Sequence, residues 1–211
     1  MPVVVNERDQ LGPDLVPDYL TNVPVGAHYG WPWIYWKKYT DERVNNWAPP
    51  EYIDDYVRKP EFALGAHVAP LGLAFVNGGE RLGPDYANGA FIARHGSWNR
   101  KPLSGYDVVF VRFDEFGNPR GKPLPVLSGF LNGKGQTHGR PTWVSLARDG
   151  ALLVSDDTAG IIWRVIAPGA APSAPIKPVV TARMPVKRDL SGDPSAQFKA
   201  GIRADPEDGQ Q

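Results

Sequence analysis

Short apolar runs, β-branched or aromatic in character, alternate along the chain with clusters of Gly, Pro, Asn and Asp. Residues 3–5, 71–77, 89–95, 106–113, 142–147, 151–156 and 161–166 each read as a strand bounded by turn chemistry. The punctuation is explicit at Gly78-Gly79, Gly83-Pro84-Asp85, Asp114–Gly117, Asp149-Gly150 and Thr158–Gly160. Residues 123–130 carry prolines that cannot donate to a ladder, so they predict an outer, edge-like strand. Helical periodicity is weak throughout, and the pattern predicts an all-β meander. Two successive sets share one grammar. Each begins after a polar loop containing His67 or His138, continues with a strand ending in Arg94-His95 or Ser155-Asp156-Asp157, and closes on a β-branched strand. Repeated antiparallel units of this kind are what a β-propeller stacks around its axis. Two or three such units cannot close a ring, which leaves a sheet face and an edge unpaired.

The rest of the chain is less regular. Residues 6–18 form a polar loop with turn signals at Gly12-Pro13-Asp14 and Pro17-Asp18. Residues 26–36 are rich in aromatics broken by Gly30 and Pro32, and read as a packed connection. Residues 37–60 are charged and proline-punctuated, and read as a surface excursion. Beyond residue 167 the chain holds prolines, small residues and charges with one aromatic, Phe198. The expected division is therefore a β domain over 1–167 and a Pro-rich linker and tail over 168–211. That tail is expected to be disordered beyond Pro185, with residues 177–184 able to add one strand to the last sheet.

Composition narrows the function. Lys+Arg and Asp+Glu are both 23, so there is no basic field for a nucleic-acid backbone. No apolar run approaches the roughly 20 residues of a membrane-spanning helix. With no cysteine, thiolate metal sites, thiol nucleophiles and disulfides are excluded. Residues 1–6 carry no basic n-region or apolar h-region, so no signal peptide is visible, and the abrupt opening strand suggests a natural start further upstream. Gly133-Lys134-Gly135 lacks the spacing of a dinucleotide or P-loop site, and His95-Gly96-Ser97 lacks the flanking glycines of a nucleophile elbow.

What remains is a set of polar loops at one end of the strands: Glu7, Arg8 and Asp9; His67; Arg94 and His95; His138 and Arg140. In a propeller these ends converge on the axial mouth, where a small ligand meets several blades. The planar guanidinium of Arg140 suits a carboxylate, and the carboxylates and carbonyls of residues 7–18 suit a hard cation such as calcium. Plainer readings stand beside these. On pattern alone Arg140 reads as a solvated surface residue, His28 as a packing or loop hydrogen-bonding residue, and Asp156-Asp157-Thr158 as a turn that satisfies its own amides. Trp31, Trp33 and Trp36 are most simply core, the other reading being an aromatic wall for a planar cofactor.

The stretches Asn6-Glu7-Arg8-Asp9-Gln10-Leu11-Gly12, Pro17-Asp18-Tyr19-Leu20, Tyr29-Gly30-Trp31-Pro32, His67-Val68-Ala69-Pro70, His95-Gly96-Ser97-Trp98-Asn99-Arg100, Gly139-Arg140-Pro141 and Asp149–Arg164 resemble, in that order, the glucose/sorbosone dehydrogenases. His95–Arg100 fits the sorbosone branch best. The resemblance covers about residues 3–167 and implies three blades of a six-bladed propeller, the C-terminal portion of a periplasmic or secreted quinoprotein. It implies pyrroloquinoline quinone (PQQ) and calcium as cofactors, a sugar or sugar-aldehyde substrate giving hydride to the quinone, and an external electron acceptor. By position it places Arg140, His67, His95, Ser97 and Arg8 at the quinone, and Glu7, Asp9 and Asp18 at the calcium loop. The family's catalytic His lies before the Asn6–Gly12 segment, so no base is assigned here, and the missing half of the ring is an expected partner. A non-catalytic propeller used as a binding module is the alternative.

Overall fold

The computed structural model describes residues 1–44, 51–77 and 80–171. The expected strand at 177–184 and the disorder beyond Pro185 lie outside the described residues. Twelve strands and one short helix build the described chain: β1 Pro2–Val5, β2 Pro17–Asn22, β3 Ile34–Tyr35, β4 Tyr39–Thr40, α1 Ile53–Tyr56, β5 Phe62–Ala66, β6 Pro70–Asn77, β7 Asn88–Arg94, β8 Asp107–Phe113, β9 Pro119–Leu127, β10 Pro141–Leu146, β11 Leu152–Asp156 and β12 Ile161–Val165. They pair as antiparallel sheets in the orders β1-β2-β5, β6-β7-β8-β9 and β10-β11-β12, with β3-β4 a separate hairpin. The leading strands neighbour one another, β1 against β6 and β6 against β10. The three larger sheets are therefore blade-like sectors that share an inner edge and do not close a ring.

The middle sheet is buried on both faces, which explains why β7 and β8 read as continuous apolar runs rather than alternating ones. Phe91, Ala93, Val108 and Phe110 pack on Val144, Leu152 and Val154 of the third sheet. The alternate residues Ile92, Val109 and Val111 pack on Leu20 and Leu64 of the first and on Val68 of the β5–β6 connection. Gly72 marks where the inner strands touch. A Cβ there would lie 2.7 Å from the Val144 nitrogen and 2.8 Å from the Trp143 Cα, so only glycine lets β6 approach β10 this closely. On the far face of the third sheet Trp143, Ser155 and Ile162 lie in register, and both apolar members are exposed. Among the described residues, that is the uncovered blade face expected of an open stack.

Several details differ from the sequence reading. Residues 17–22 and 62–66 are paired strands rather than loop and flank. Neither has strong β propensity, and pairing decides both, β2 between β1 and β5 and β5 against β2. The edge strand sits at Pro119–Leu127, shifted from 123–130, though its place at the edge of its sheet holds. The excursion 37–60 is not wholly a surface feature, since Ile53 and Val57 close a small core with Ile34 and Trp33. Trp31 is 63% exposed and is not core.

Candidate functional site

Every loop that carries candidate chemistry leaves its sheet at the same end. These are the β1–β2 loop, the β5–β6 and β7–β8 connections, the residues before β10, and the β11–β12 turn. Asp18, at the start of β2, ties the first two together. Its Oδ1 accepts the Glu7 amide at 2.8 Å and its Oδ2 the Ala69 amide at 2.8 Å. Burial raises the Asp18 pKa, against the opposing pull of those two amides and of His67. His67, held at φ 55°, places Nδ1 3.1 Å from Asp9 Oδ1 and Nε2 3.0 Å from the Gly12 carbonyl. Both partners are acceptors, so serving both takes the doubly protonated ring. A cleft of about 200 Å³ lies here, lined by Glu7, Asp9, Asp18, His67, Ser97 and Trp98.

The third sheet reaches the same place through Arg140. Its Nε donates to the His95 carbonyl at 3.1 Å and its Nη2 to the Gly96 carbonyl at 2.8 Å, with the guanidinium over the Tyr106 ring at 5.3 Å. Nη1 has no hydrogen-bond partner among the described residues. The backbone of Arg140 is fixed by Asp156, whose carboxylate accepts the amides of Arg140, Thr158 and Ala159 and the Trp163 indole N–H. Burial works against ionisation of Asp156, but these donors outweigh it and hold its pKa below the usual carboxylate value. Gly139 is required beside it, because a Cβ would lie 2.0 Å from Asp156 Oδ2. Asp157 turns outward instead, and its Oδ2 lies 3.0 Å from His95 Nε2.

Of the residues anticipated from sequence, Glu7, Asp9, Asp18, His67 and Ser97 line one cleft, and His95 and Arg140 adjoin it through Gly96. Ser97 is nearly inaccessible and organises its own loop, its Oγ accepting the Ser104 amide and its carbonyl the Tyr106 hydroxyl. Arg8 departs from expectation. It is 5% exposed and donates to Glu7, Asp41 and the carbonyls of Pro32 and Ile34, between the rings of Trp31 and Tyr35 at 5.0 and 5.2 Å. All three of its guanidinium nitrogens are engaged by the protein. The carboxylate cage expected from Glu7, Asp9 and Asp18 is likewise not assembled. Glu7 Oε1 accepts from Arg8, both Asp18 oxygens hold amides, and no group of three or more ligating side chains stands together among the described residues. A calcium ion needs six to eight oxygens. His28 behaves as the plainer reading had it, its Nδ1 accepting the Gly30 amide at 3.0 Å. Sequence reasoning missed Asp157 as a partner of His95, and Trp98, which is 71% exposed at the cleft. The pairing of His95 with Asp157 spans 62 positions and has no local signature.

The TrAA12-like family model matches residues 40–168, more than half of the chain. The chain belongs to the TrAA12-like family. Among curated relatives of this TrAA12-like chain, an uncharacterized protein of Borreliella burgdorferi is 32% identical over 163 residues, covering 76% of this chain and 41% of the relative. The pyrroloquinoline quinone-dependent pyranose dehydrogenase of Coprinopsis cinerea is 31% identical over 122 residues, 50% of this chain and 16% of that protein. The chain thus spans less than half the length of the curated relatives it matches. Among solved structures, the calcium structure of the Trichoderma reesei family AA12 enzyme superposes with TM-score 0.56 at 20% identity over 72% of this chain and 43% of that one. The holo PQQ domain of the Coprinopsis cinerea pyranose dehydrogenase superposes with TM-score 0.50 at 24% identity over 76% and 46%. These likenesses support the open, propeller-type arrangement of sheets. The sorbosone branch rests on the His95–Arg100 motif alone.

Proposed function

We propose that the chain forms part of a PQQ-dependent sugar oxidoreductase, with the convergent loops as the face that holds the cofactor. The observation that carries this reading is the linkage of all three blade-like sheets at one polar mouth through Asp18, His67 and Arg140. The residues fit an anionic planar quinone in one respect and limit it in another. Arg140 keeps Nη1 available to a carboxylate, and Trp98 offers an exposed ring face. The cleft of about 200 Å³ is smaller than the ~300 Å³ at which small-molecule sites begin, so the cofactor would lie across the mouth rather than inside. Bound there, the quinone supplies the two-electron acceptor for the substrate.

The chain's own part is to anchor and to move a proton. Arg140 holds a carboxylate with Nη1 while its other donors brace the 95–96 turn. In the neutral tautomer that donates Nε2–H to Asp157, the Nδ1 of His95 is an acceptor, which makes it the group able to take the proton of a substrate hydroxyl. The substrate class is a pyranose, aldose or sugar aldehyde, sorbosone being the member its His-Gly-Ser-Trp-Asn-Arg segment favours. On this reading the protein works outside the cytoplasm, in periplasm or medium, with an external acceptor for the electrons. Completion of the ring by further blades, on this or another chain, belongs to the same reading.

Dye-coupled oxidation of pyranoses, aldoses and L-sorbosone by PQQ-loaded protein tests it. Substrate-dependent dye reduction that falls at least about tenfold in His95→Gln, and less in Asp157→Asn, is the expected result. PQQ-loaded protein with no turnover on any of these sugars would instead favour a non-catalytic binding module.

A further inference from the structure

Beside the β1–β2 loop, the β3–β4 hairpin ends in a turn that ordinary sequence preference would not choose. The Lys38 amide donates to the Tyr35 carbonyl at 3.2 Å, and the two central residues, Trp36 and Lys37, sit at φ 48° and 62°. Hairpin turns with two left-handed central residues favour Asn-Gly, because large side chains are strained there. Here both positions carry large side chains that line a surface cavity. Trp36 is set edge-on against Tyr19 at 6.1 Å, and Tyr35 stacks on Tyr39 at 5.3 Å. Beside them lies an open groove of about 950 Å³, walled by Tyr35, Trp36, Tyr39, Lys37, Lys38 and Lys59. A second hollow of about 460 Å³ shares Lys37 and Lys59 with it and adds Tyr56, Arg58 and Asp55.

The combined groove has two chemical features. It presents exposed tyrosine rings, Tyr39 at 51% and Tyr56 at 66%, on either side of the shared lysines. It also gathers Lys37, Lys38, Arg58 and Lys59 against one lining carboxylate, Asp55, and none of these cations is in an ion pair among the described residues. In a chain of zero net charge this is a local positive field over apolar walls. A matching ligand must offer apolar faces to the rings and fixed negative charge to the ammonium groups. A pyranose with a carboxylate does both, its C–H face lying on tyrosine and its acid reaching lysine.

We propose that this groove binds an acidic oligosaccharide, one built from uronate residues. The groove shares no lining residue with the cleft at the mouth, although Leu15 of the β1–β2 loop and Pro17 of β2 also line it, and the inference does not depend on the oxidoreductase reading. Titrating the full chain with tri-galacturonate, followed by tryptophan fluorescence and calorimetry, tests it directly. The expected result is saturable binding, with maltotriose at least about tenfold weaker because it lacks the carboxylates. Lys37→Gln/Lys59→Gln, checked for native circular dichroism, is expected to weaken tri-galacturonate about tenfold, with Tyr39→Ala weakening both sugars. The affinity should be the same with and without added PQQ, so failure here is distinguishable from failure at the mouth. Absence of saturable binding by wild-type chain, equal binding by the double variant, or equally tight binding of tri-glutamate would each overturn the proposal.

Discussion

Replacing Gly72 by alanine perturbs the contact that joins the second and third sheets. The added Cβ would lie 2.7 Å from the Val144 nitrogen, 2.8 Å from the Trp143 Cα and 2.9 Å from the Thr142 carbonyl oxygen. All three are backbone atoms of β10, so no side-chain rotation relieves the clash and one inner strand must move. Forcing a methyl group into a packed contact costs about 1–3 kcal/mol. Removing a strand glycine returns roughly 0.5–1 kcal/mol, and from the middle of both ranges the net loss is about 1 kcal/mol. For a unit of this size that lowers the melting temperature by roughly 2–4 °C. Calorimetry and urea unfolding read it, with a lower midpoint and unchanged m-value expected. Gly133→Ala is the control, because nothing lies within 4 Å of its added Cβ, and it should stay within about 0.5 kcal/mol of wild type. Gly72→Ala at or above wild-type stability would show that β6 and β10 do not meet as described.

Other perturbations follow from the same contacts. Phe91→Ala, in a fully buried pair with Phe110 at 4.7 Å, should cost about 3–5 kcal/mol by urea unfolding, and a loss under 1 kcal/mol would contradict the two-faced middle sheet. Asp41 has its pKa pulled far down, first by the Arg43 side chain and with a further contribution from Arg8. Its contribution is therefore present above the ordinary carboxylate pKa and lost as pH falls toward the folded value, because the unfolded chain takes up the proton first. Asp41→Asn should flatten the acid limb of stability against pH, and an unchanged limb would reject the assignment. Asp18, raised by burial, has the opposite sign: its contribution is full below the ordinary carboxylate pKa and declines as pH rises through the folded value. Asp18→Asn should remove that decline while costing about 1–3 kcal/mol for an amide hydrogen bond left unmade.

Much of the architecture was legible because the middle and third sheets announce themselves. Leu71–Asn77, Gly89–His95 and Tyr106–Phe113 carry β-branched and aromatic residues between strong turn signals, and the structure has strands at all three. The first sheet was hidden, since Pro-Asp-Tyr-Leu-Thr-Asn and Phe-Ala-Leu-Gly-Ala become strands through partners distant in sequence. At the mouth, loop position foretold that Glu7, Asp18, His67 and Arg140 would meet. It did not foretell which of their atoms are already used. Arg8 reads from sequence as a free cation, yet its acceptors come from Pro32, Ile34 and Asp41, up to 33 positions away. The partnership of His95 with Asp157 is hidden for the same reason.

The most direct test of the central claim is the equilibrium affinity of the chain for PQQ, read by fluorescence quenching, in wild type, Arg140→Lys and Arg140→Ala. A guanidinium aimed at the mouth predicts wild-type binding that weakens about tenfold or more in Arg140→Ala. Arg140→Lys should fall between, keeping charge but not the braced fork. No PQQ binding by wild-type chain, or equal affinity in all three proteins, would contradict a cofactor face at these loops.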